Sequence, residues 1–202
     1  MRARASQLRT QGFHARTLAR WPLRGYSVPA PQHVKLGVLR RYGHAGGTWV
    51  ETGTYLGDTT AVLARTALRV HTIEPSADLA QRARQRFVDH PNVTIHEGLS
   101  EDLLPGILDT IDGTLSLWLD GHASGGITHT GPVVTPIREE LAAIEQRLDR
   151  WDSVTVLVDD FRGFGALAGE EGAYPSRSSL VQWADRCGFG WTVEHDIFVA
   201  FR

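Results

Sequence analysis

Residues 49–60 read WVETGTYLGDTT, an apolar run that closes on Glu51 and then turns on Gly53 and Gly57 into a helical stretch. Glycine lacks a Cβ and tolerates positive φ, so this turn lets a ligand approach the backbone closely. About twenty residues later a second apolar run ends in Glu74, where a carboxylate is well placed to accept hydrogen bonds from ribose hydroxyls. The two segments predict a nucleoside-containing cofactor on the first β–α turn of an α/β sheet.

The spacing also discriminates between cofactors. A dinucleotide fingerprint reads G-x-G-x-x-G and places a pyrophosphate on the helix N-terminus. This chain reads E-x-G-x-x-x-G, and a carboxylate such as Glu51 repels a pyrophosphate but attracts an ammonium or a sulfonium. The alternative is an ordinary strand-turn-helix with two structural glycines.

The pattern resembles motif I of the class I S-adenosylmethionine methyltransferases, with Glu74 at the position of their ribose-binding acid. The resemblance implies S-adenosylmethionine as cofactor. The turn after the third predicted strand matches where that family contacts adenine, although Ser100 is equally suited to be a helix N-cap. The cofactor-binding residues implied are Glu51, Gly53, Thr54, Tyr55, Gly57, Thr59, Glu74, Pro75, Gly98, Ser100 and Asp120.

Alternating strand and helix signals predict an α/β fold, a parallel sheet with helices on both faces. The strands are expected at 48–52, 70–74, 93–97, 115–119, 154–158, 191–195 and 197–201. The helices are expected at 32–42, 58–67, 76–88, 100–108, 135–151 and 177–187, with Ser76 as an N-cap and Ile137, Leu141, Ile144, Leu148 and Trp151 as one buried stripe. The last two strands suggest an antiparallel edge hairpin, which matches the seven-stranded, Rossmann-like sheet of the class I methyltransferases.

Composition indicates one soluble domain of 202 residues with 42% hydrophobic content. The single cysteine, Cys187, excludes an internal disulfide and is typical of a reducing compartment, so we expect a cytoplasmic protein. No apolar run is long enough to span a bilayer, and a homo-oligomer is compatible with the sequence.

The net charge of -2 hides an asymmetry. Residues 1–50 carry nine basic and no acidic residues, so the rest of the chain holds all 23 acidic residues. We interpret residues 1–31 as a basic N-terminal arm that either grips an anionic substrate, contacts another subunit or is simply solvated, and residues 32–202 as the single catalytic domain. Because that domain is acidic and its aromatic residues are scattered, we do not expect nucleic acid as the substrate.

A second group of residues follows the predicted fourth and fifth strands, where ligands bind in such sheets. Asp120 ends the fourth strand, and Asp159 and Asp160 end the fifth. Clustered carboxylates repel unless a cation or a proton intervenes, and hard oxygen ligands suit Mg²⁺, Ca²⁺ or Mn²⁺. The trio resembles the metal site of the catechol-type and macrolide-sugar O-methyltransferases, which implies a divalent ion held by Asp120, Asp159 and Asp160. The alternative is that Asp159 caps a turn and Asp120 binds backbone amides.

Residues 120–126, DGHASGG, add a candidate general base. His122 can take the substrate proton at neutral pH, with Asp120 as its catalytic neighbour. The alternatives are that His122 is a metal ligand or simply a loop histidine. The stretch from Trp118 to Leu141 is similar to a group of bacterial methyltransferase-like proteins with a DGHxSGG signature. The chain lacks the lysine that catechol-type enzymes place shortly after this aspartate, so a lysine base is not expected unless Lys35, its one lysine, folds over the site. We also expect three aromatic residues to line either the substrate pocket or the core: Trp118, Phe161 and Phe164.

These features predict a methyltransferase that uses S-adenosylmethionine and a divalent metal to methylate a small-molecule hydroxyl. N-methylation of an amine is a second possibility, because an acidic site attracts a cation. A non-catalytic cofactor-binding protein and a metal-dependent hydrolase are further alternatives. The first is disfavoured because a decayed site should have lost part of the set that is intact here, the Glu51 and Glu74 pair with three clustered aspartates. The second leaves Glu51 to Gly57 without a role.

Overall fold

The computed structural model describes residues 17–120, 135–165 and 174–202. Their strands are β1 (Thr48–Thr52), β2 (Arg69–Glu74), β3 (Val93–Glu97), β4 (Gly113–Leu119), β5 (Trp151–Val158), β6 (Gly190–Glu194) and β7 (Ile197–Phe201). The α-helices with defined ends are α1 (Gln32–Tyr42), α2 (Asp58–Leu63), α3 (Ala77–Arg86), α4 (Ser100–Leu108), α5 (Ile137–Glu145) and α6 (Arg177–Arg186).

The seven strands form one sheet in the order β3-β2-β1-β4-β5-β7-β6. Strands β1 to β5 pair in parallel, whereas β7 is antiparallel to both β5 and β6. The predicted α/β sheet with an antiparallel last strand is therefore confirmed. The chain reverses direction along the sheet between β1 and β4, and the carboxyl ends of these strands form the crevice in which such sheets bind ligands.

Alternate strand residues pack against helices on the two faces of the sheet, as the two-residue period of a strand requires. On one face, Val154, Val156 and Val158 of β5 join apolar residues of α4, α5 and α6. On the other face, Leu157 joins a smaller cluster with Val38 of α1. The sheet is thus a rigid, buried support for the loops at its carboxyl edge.

Several predicted boundaries were wrong because helical periodicity continued past the real helix ends. The helix that follows Pro136 ends at Glu145, a 3₁₀ turn covers Leu148–Arg150, and Trp151 begins β5 instead of completing the helical stripe. The Trp151 indole N–H donates to the carbonyl of Ile111 at 3.0 Å, which fixes it in the sheet. Similarly, α2 ends at Leu63 rather than at residue 67.

The described part of the N-terminal arm packs on the domain. Trp21 is buried, and its indole N–H donates to the carbonyl of Ser27 at 2.8 Å. Its ring meets those of Tyr26 and His195 edge to face, with centroids 5.1 and 5.4 Å away. Residues 1–16 lie outside the described residues. Among the described residues, no helix is both long and apolar enough to cross a membrane.

Two neighbouring histidines, one on β2 and one on β3, should make the unfolding free energy fall in acid. Nδ1 of His71 lies 3.1 Å from Nε2 of His96. Burial, the neighbouring His96 ring and Arg69 lower the pKa of His71 to about 4. Because this folded-state pKa lies below the value of about 6.5 in an unfolded chain, its contribution to stability is complete above pH 6.5 and is lost as the pH falls towards 4.

We therefore expect the wild-type protein to lose about 2 kcal/mol of unfolding free energy through His71 when the pH falls from 7 to 4.5. This figure is reduced because the half-buried His71 ring keeps contact with solvent. The His71→Gln variant should lose correspondingly less over the same interval. Urea unfolding at the two pH values measures the difference, with His90→Gln at an exposed position as the control. Equal pH dependence in all three proteins would contradict the assignment.

Candidate functional site

The turn between β1 and α2 is shaped by three residues with left-handed backbone. Gly53, Tyr55 and Gly57 have φ of 87°, 49° and 78°. The amides of Gly53 and Thr54 both donate to the carbonyl of Ile73, at 3.0 and 3.2 Å, so the turn is fastened to the end of β2. A Cβ on Gly57 would lie 2.8 Å from the Phe87 ring, which leaves no room for a side chain there.

Glu51, on β1 just before this turn, is a fully buried carboxylate. Its Oε2 accepts hydrogen bonds from the hydroxyls of Thr60 and Thr72, at 2.5 and 2.7 Å. Because Thr72 donates to the carboxylate, it accepts from the Thr54 hydroxyl 2.6 Å away. Oε1 of Glu51 has no hydrogen-bond partner among the described residues. The network therefore orients the carboxylate and leaves one acceptor oxygen unused.

Burial raises the pKa of Glu51 to about 7, against the opposing hydrogen bonds from Thr60 and Thr72. A nearby positive charge would favour the ionised form and pull this pKa down. Glu51 is consequently a group whose charge can respond to the binding of a cationic ligand near neutral pH.

Glu74 closes the other side of the turn. Its Oε2 accepts the backbone N–H of Tyr55 at 2.7 Å, and its Oε1 accepts that of Ser76 at 3.0 Å. Each carboxylate oxygen retains capacity for a further hydrogen bond. Glu74 thus holds the glycine turn in place and presents an acceptor pair at the end of β2.

The other predicted cofactor residues surround these two carboxylates with different roles. Gly98 follows β3 with φ of 148°, and its amide donates to the carbonyl of Glu74 at 3.1 Å. The Thr54 side chain belongs to the buried network, and the Thr59 hydroxyl accepts from Gln32 Nε2 at 3.0 Å. Ser100 is the first residue of α4, and Leu99 holds the N-cap position in its place. Pro75 is half-buried beside Glu74, and Ser76 holds the N-cap position of α3 without a side-chain hydrogen bond.

The three aspartates lie at the carboxyl ends of adjacent strands. The amide of Asp120 donates to the carbonyl of Thr52 at 3.2 Å, and that of Asp159 donates to Leu119 at 3.1 Å. Asp160 follows with a left-handed backbone at φ of 52°. Asp120 therefore sits next to the end of β1, from which the glycine turn starts, and Asp159 lies one strand further along the sheet.

A lysine from α1 reaches this acidic group. The Lys35 ammonium forms a short ion pair with Oδ2 of Asp159 and lies 3.7 Å from Oδ1 of Asp160. Burial acts to lower the pKa of Lys35, but the carboxylates of Asp159, Asp160 and Asp120 together outweigh it and hold the pKa above its usual value. Among the described residues, no group of three or more His, Cys, Asp or Glu side chains is arranged to hold a metal ion. The trio does not fit the predicted divalent ion, because the ammonium already pairs with two of its carboxylates, Asp159 and Asp160.

Sequence analysis did not identify two further residues near the aspartates, Tyr174 and Arg162. Burial raises the pKa of the Tyr174 phenol, and the carboxylates of Asp160, Asp120 and Asp159 raise it further. Arg162 forms ion pairs with Asp160, at 2.8 Å, and with Asp196. A phenol that stays protonated beside carboxylates is a hydrogen-bond donor. No periodicity or spacing marks Tyr174, which lies on a connection between elements.

Of the aromatic residues expected in a pocket or in the core, two belong to the core. Trp118 is 2% exposed beneath α1, and Phe164 is 1% exposed among residues of the opposite face. Phe161 is only partly buried and stacks on Phe198 with centroids 5.9 Å apart. His122 and the rest of the DGHxSGG stretch after Asp120 lie outside the described residues.

Solved structures share this architecture at low sequence identity. A candidate rRNA methylase from Clostridium thermocellum matches with a TM-score of 0.54 and 13% identity, over 87% of this chain and 97% of that one. A candidate methyltransferase from Streptococcus mutans, in complex with S-adenosylhomocysteine, gives 0.51 and 14% over 87% and 98%. A precorrin 8W decarboxylase from Methanobacterium thermoautotrophicum gives 0.50 and 16% over 87% and 91%. The fold is that of the class I methyltransferases.

No protein-family model matches the sequence, and no curated protein is significantly similar to it. At 13–16% identity, the structural likeness defines the fold alone. A fold hosts many reactions, so the reaction has to be argued from the side chains of the site.

Proposed function

We propose that this chain binds S-adenosylmethionine and transfers its methyl group to a hydroxyl oxygen of a small molecule. The observation that carries the proposal is the pair of buried carboxylates, Glu51 and Glu74, on either side of the Gly53–Gly57 turn. Glu51 offers an unused acceptor oxygen for a cationic group, and Glu74 offers acceptors for two ribose hydroxyls. These are the two kinds of polar group that distinguish this cofactor from a pyrophosphate-containing one.

The fit of the cofactor is supported by the site itself. An ionised carboxylate that is buried beside a glycine turn and accepts hydrogen bonds on only one oxygen destabilises the folded protein unless a cation lies near it. The hydroxyls of Thr60 and Thr72 hold the Glu51 carboxylate in one orientation, so a bound ammonium or sulfonium would meet a preorganised negative charge. The family resemblance of the motif, which rests on the same residues, points to the same cofactor.

S-adenosylmethionine, when bound, supplies an activated methyl carbon: a new C–O bond forms from an oxygen lone pair while the C–S bond breaks, and S-adenosylhomocysteine leaves. The chain has to position the hydroxyl and accept its proton. Asp120, at the end of β4 beside β1, is suited to position the hydroxyl, and His122 is the proposed base. Holding both reactants in line accounts for much of the expected rate.

His122→Ala is expected to lower kcat by about 100-fold or more, since a positioned general base contributes about that factor. The Kd for S-adenosylhomocysteine should stay within about twofold of wild type, because the two carboxylates that carry the proposed cofactor site, Glu51 and Glu74, lie on β1 and β2. Single-turnover transfer from a methyl-labelled donor measures the first quantity, and titration measures the second. His129→Ala is the matched control, and unchanged turnover in His122→Ala would remove His122 from the reaction.

The proposed function as a whole is tested by incubating the protein with methyl-labelled S-adenosylmethionine and panels of phenols, sugars, amines and RNA. Label on oxygen of a small molecule is the expected result. Label on nitrogen would support N-methylation, which the cluster of Asp120, Asp159 and Asp160 favours by attracting a cationic amine. Label on RNA would contradict the small-molecule proposal, and tight cofactor binding with no labelled product in any panel would indicate a binding protein.

A further inference from the structure

The acidic group at the ends of β4 and β5 already contains a cation that belongs to the chain. Lys35 projects from α1 and its side chain is only 13% exposed. Its ammonium forms an ion pair with Asp159 Oδ2 and lies 3.7 Å from Asp160 Oδ1. Asp120 lies close enough to contribute to the electrostatic stabilisation of the ammonium. The Lys35 ammonium therefore pairs with two of the three carboxylates and lies within electrostatic range of the third.

Two of these carboxylates, Asp159 and Asp160, already have donor groups of the chain as partners. Asp159, which is 2% exposed, accepts Lys35 on one oxygen and the backbone N–H of Asp160 on the other, at 2.8 Å. Asp160 is also paired with Arg162 at 2.8 Å. A divalent ion binds carboxylate oxygens at about 2.0–2.6 Å and would have to displace the ammonium against the repulsion of two positive side chains.

Lys35 is held in place by a helix that is anchored on both sides. Val38 and Leu39, one turn further along α1, are each 1% exposed in the smaller core cluster. Gln32, one turn before Lys35, donates to the Thr59 hydroxyl at the start of α2. The same helix thus connects the turn of the proposed cofactor site with the aspartates, so the position of the ammonium is fixed by packing rather than by a flexible loop.

We propose that the Lys35 ammonium is the resident cation of this carboxylate cluster and takes the place of a divalent metal ion. In this role Lys35 is a positioning residue: it orients Asp159 and Asp160 and offsets their repulsion. The consequence for catalysis, that methyl transfer proceeds without a metal, rests on the proposed function; the absence of metal binding does not.

The test is metal binding by the wild-type chain and its variants. Mn²⁺ is titrated against wild type, Lys35→Ala, and Lys35→Ala combined with Asp159→Asn, and the free ion is measured by electron paramagnetic resonance. Wild type should bind Mn²⁺ at least about tenfold more weakly than Lys35→Ala, whose three carboxylates then resemble a metal site. The added Asp159→Asn change should remove the gained affinity. Arg40→Ala, exposed on the same helix, controls for the loss of one positive charge.

Thermal unfolding gives a second measurement. Mg²⁺ should raise the Tm of Lys35→Ala and leave that of wild type within about 1 °C, since only a ligand that binds the folded state stabilises it. The proposal would be overturned if the wild-type chain bound one Mn²⁺ and the Asp159→Asn change abolished that binding. It would also be overturned if Lys35→Ala bound Mn²⁺ no more tightly than wild type. If Lys35→Ala does not fold, Mn²⁺ binding by wild type and by Asp159→Asn still decides whether the wild-type cluster holds a metal ion.

A third measurement, the rate of methyl transfer, depends on the proposed function. Methyl transfer by the wild-type protein should be the same in EDTA as in Mg²⁺, and loss of activity in EDTA that Mg²⁺ restores would contradict the metal-free reaction. A protein with no methyl transfer in either condition would instead contradict the proposed function. It would leave the Mn²⁺ comparison intact, because that experiment contains neither cofactor nor substrate.

Discussion

Replacing Glu51 by Gln should weaken S-adenosylmethionine binding at pH 8 by roughly 10- to 100-fold, the cost of losing a hydrogen bond to a charged group. The same change should stabilise the unliganded protein. The pKa of Glu51 is about 7 in the folded protein, above its usual value of 4.5. Its contribution to stability is therefore complete below pH 4.5 and is lost as the pH rises through 7, by up to roughly 3 kcal/mol at pH 8.

Opposite effects on binding and on stability separate this explanation from simple misfolding. Glu51→Gln and wild type should have similar unfolding free energies at pH 5, where Glu51 is protonated, and should diverge at pH 8. Wild-type affinity for the cofactor should rise with pH through about 7, and the affinity of the variant should not. Denaturant unfolding and titration at both pH values measure the two effects. Glu139→Gln, exposed on α5, is the charge control. A variant that binds the cofactor like wild type would contradict the role of Glu51.

Glu74→Gln should weaken S-adenosylhomocysteine binding by roughly 10- to 100-fold, because an amide offers one acceptor oxygen in place of two charged ones. The backbone amides of Tyr55 and Ser76 use both oxygens in the unliganded protein. One of these N–H groups would face the new amide NH₂, so the variant should also lose about 1–3 kcal/mol of unfolding free energy.

A double-mutant cycle assigns the affinity loss to the ribose. The 2′-deoxy form of S-adenosylhomocysteine should bind wild type more weakly than the parent compound, and Glu74→Gln should show a much smaller difference between the two. Isothermal titration of both ligands against both proteins completes the cycle. Glu97→Gln, an exposed position in register with Glu74 on β3, is the matched control. Equal discrimination by wild type and Glu74→Gln would place the ribose elsewhere.

The sheet and the two proposed cofactor carboxylates were predictable because their signals are local. Glu51 and Glu74 each close an apolar run, and Gly53 and Gly57 mark a turn that needs positive φ. Thr60 and Thr72 were not predicted, although they bind Glu51. The role of Thr72 depends on the register of β1 against β2, which places it beside Glu51 and which no local pattern specifies.

The acidic cluster shows the same limit more strongly. Three aspartates at strand ends indicate a cation, and a divalent metal was predicted because carboxylate oxygens suit one and the enzymes that the pattern resembles use one. The cation in the structure comes from Lys35, 124 residues away from Asp159 in the chain. Such a contact is determined by how α1 packs on the sheet, through Val38 and Leu39, and carries no spacing signal. Trp151 was misassigned for the opposite reason, since a local helical period continued into a strand.

The most direct test of the account is calorimetric titration of the wild-type chain with S-adenosylmethionine and S-adenosylhomocysteine, in EDTA and then in Mg²⁺. Binding of one ligand per chain is expected, with a Kd of about 1–100 µM that is the same in both buffers. Failure to bind either ligand in either buffer would contradict the central claim that Glu51, Glu74 and the turn between them form the site for this cofactor.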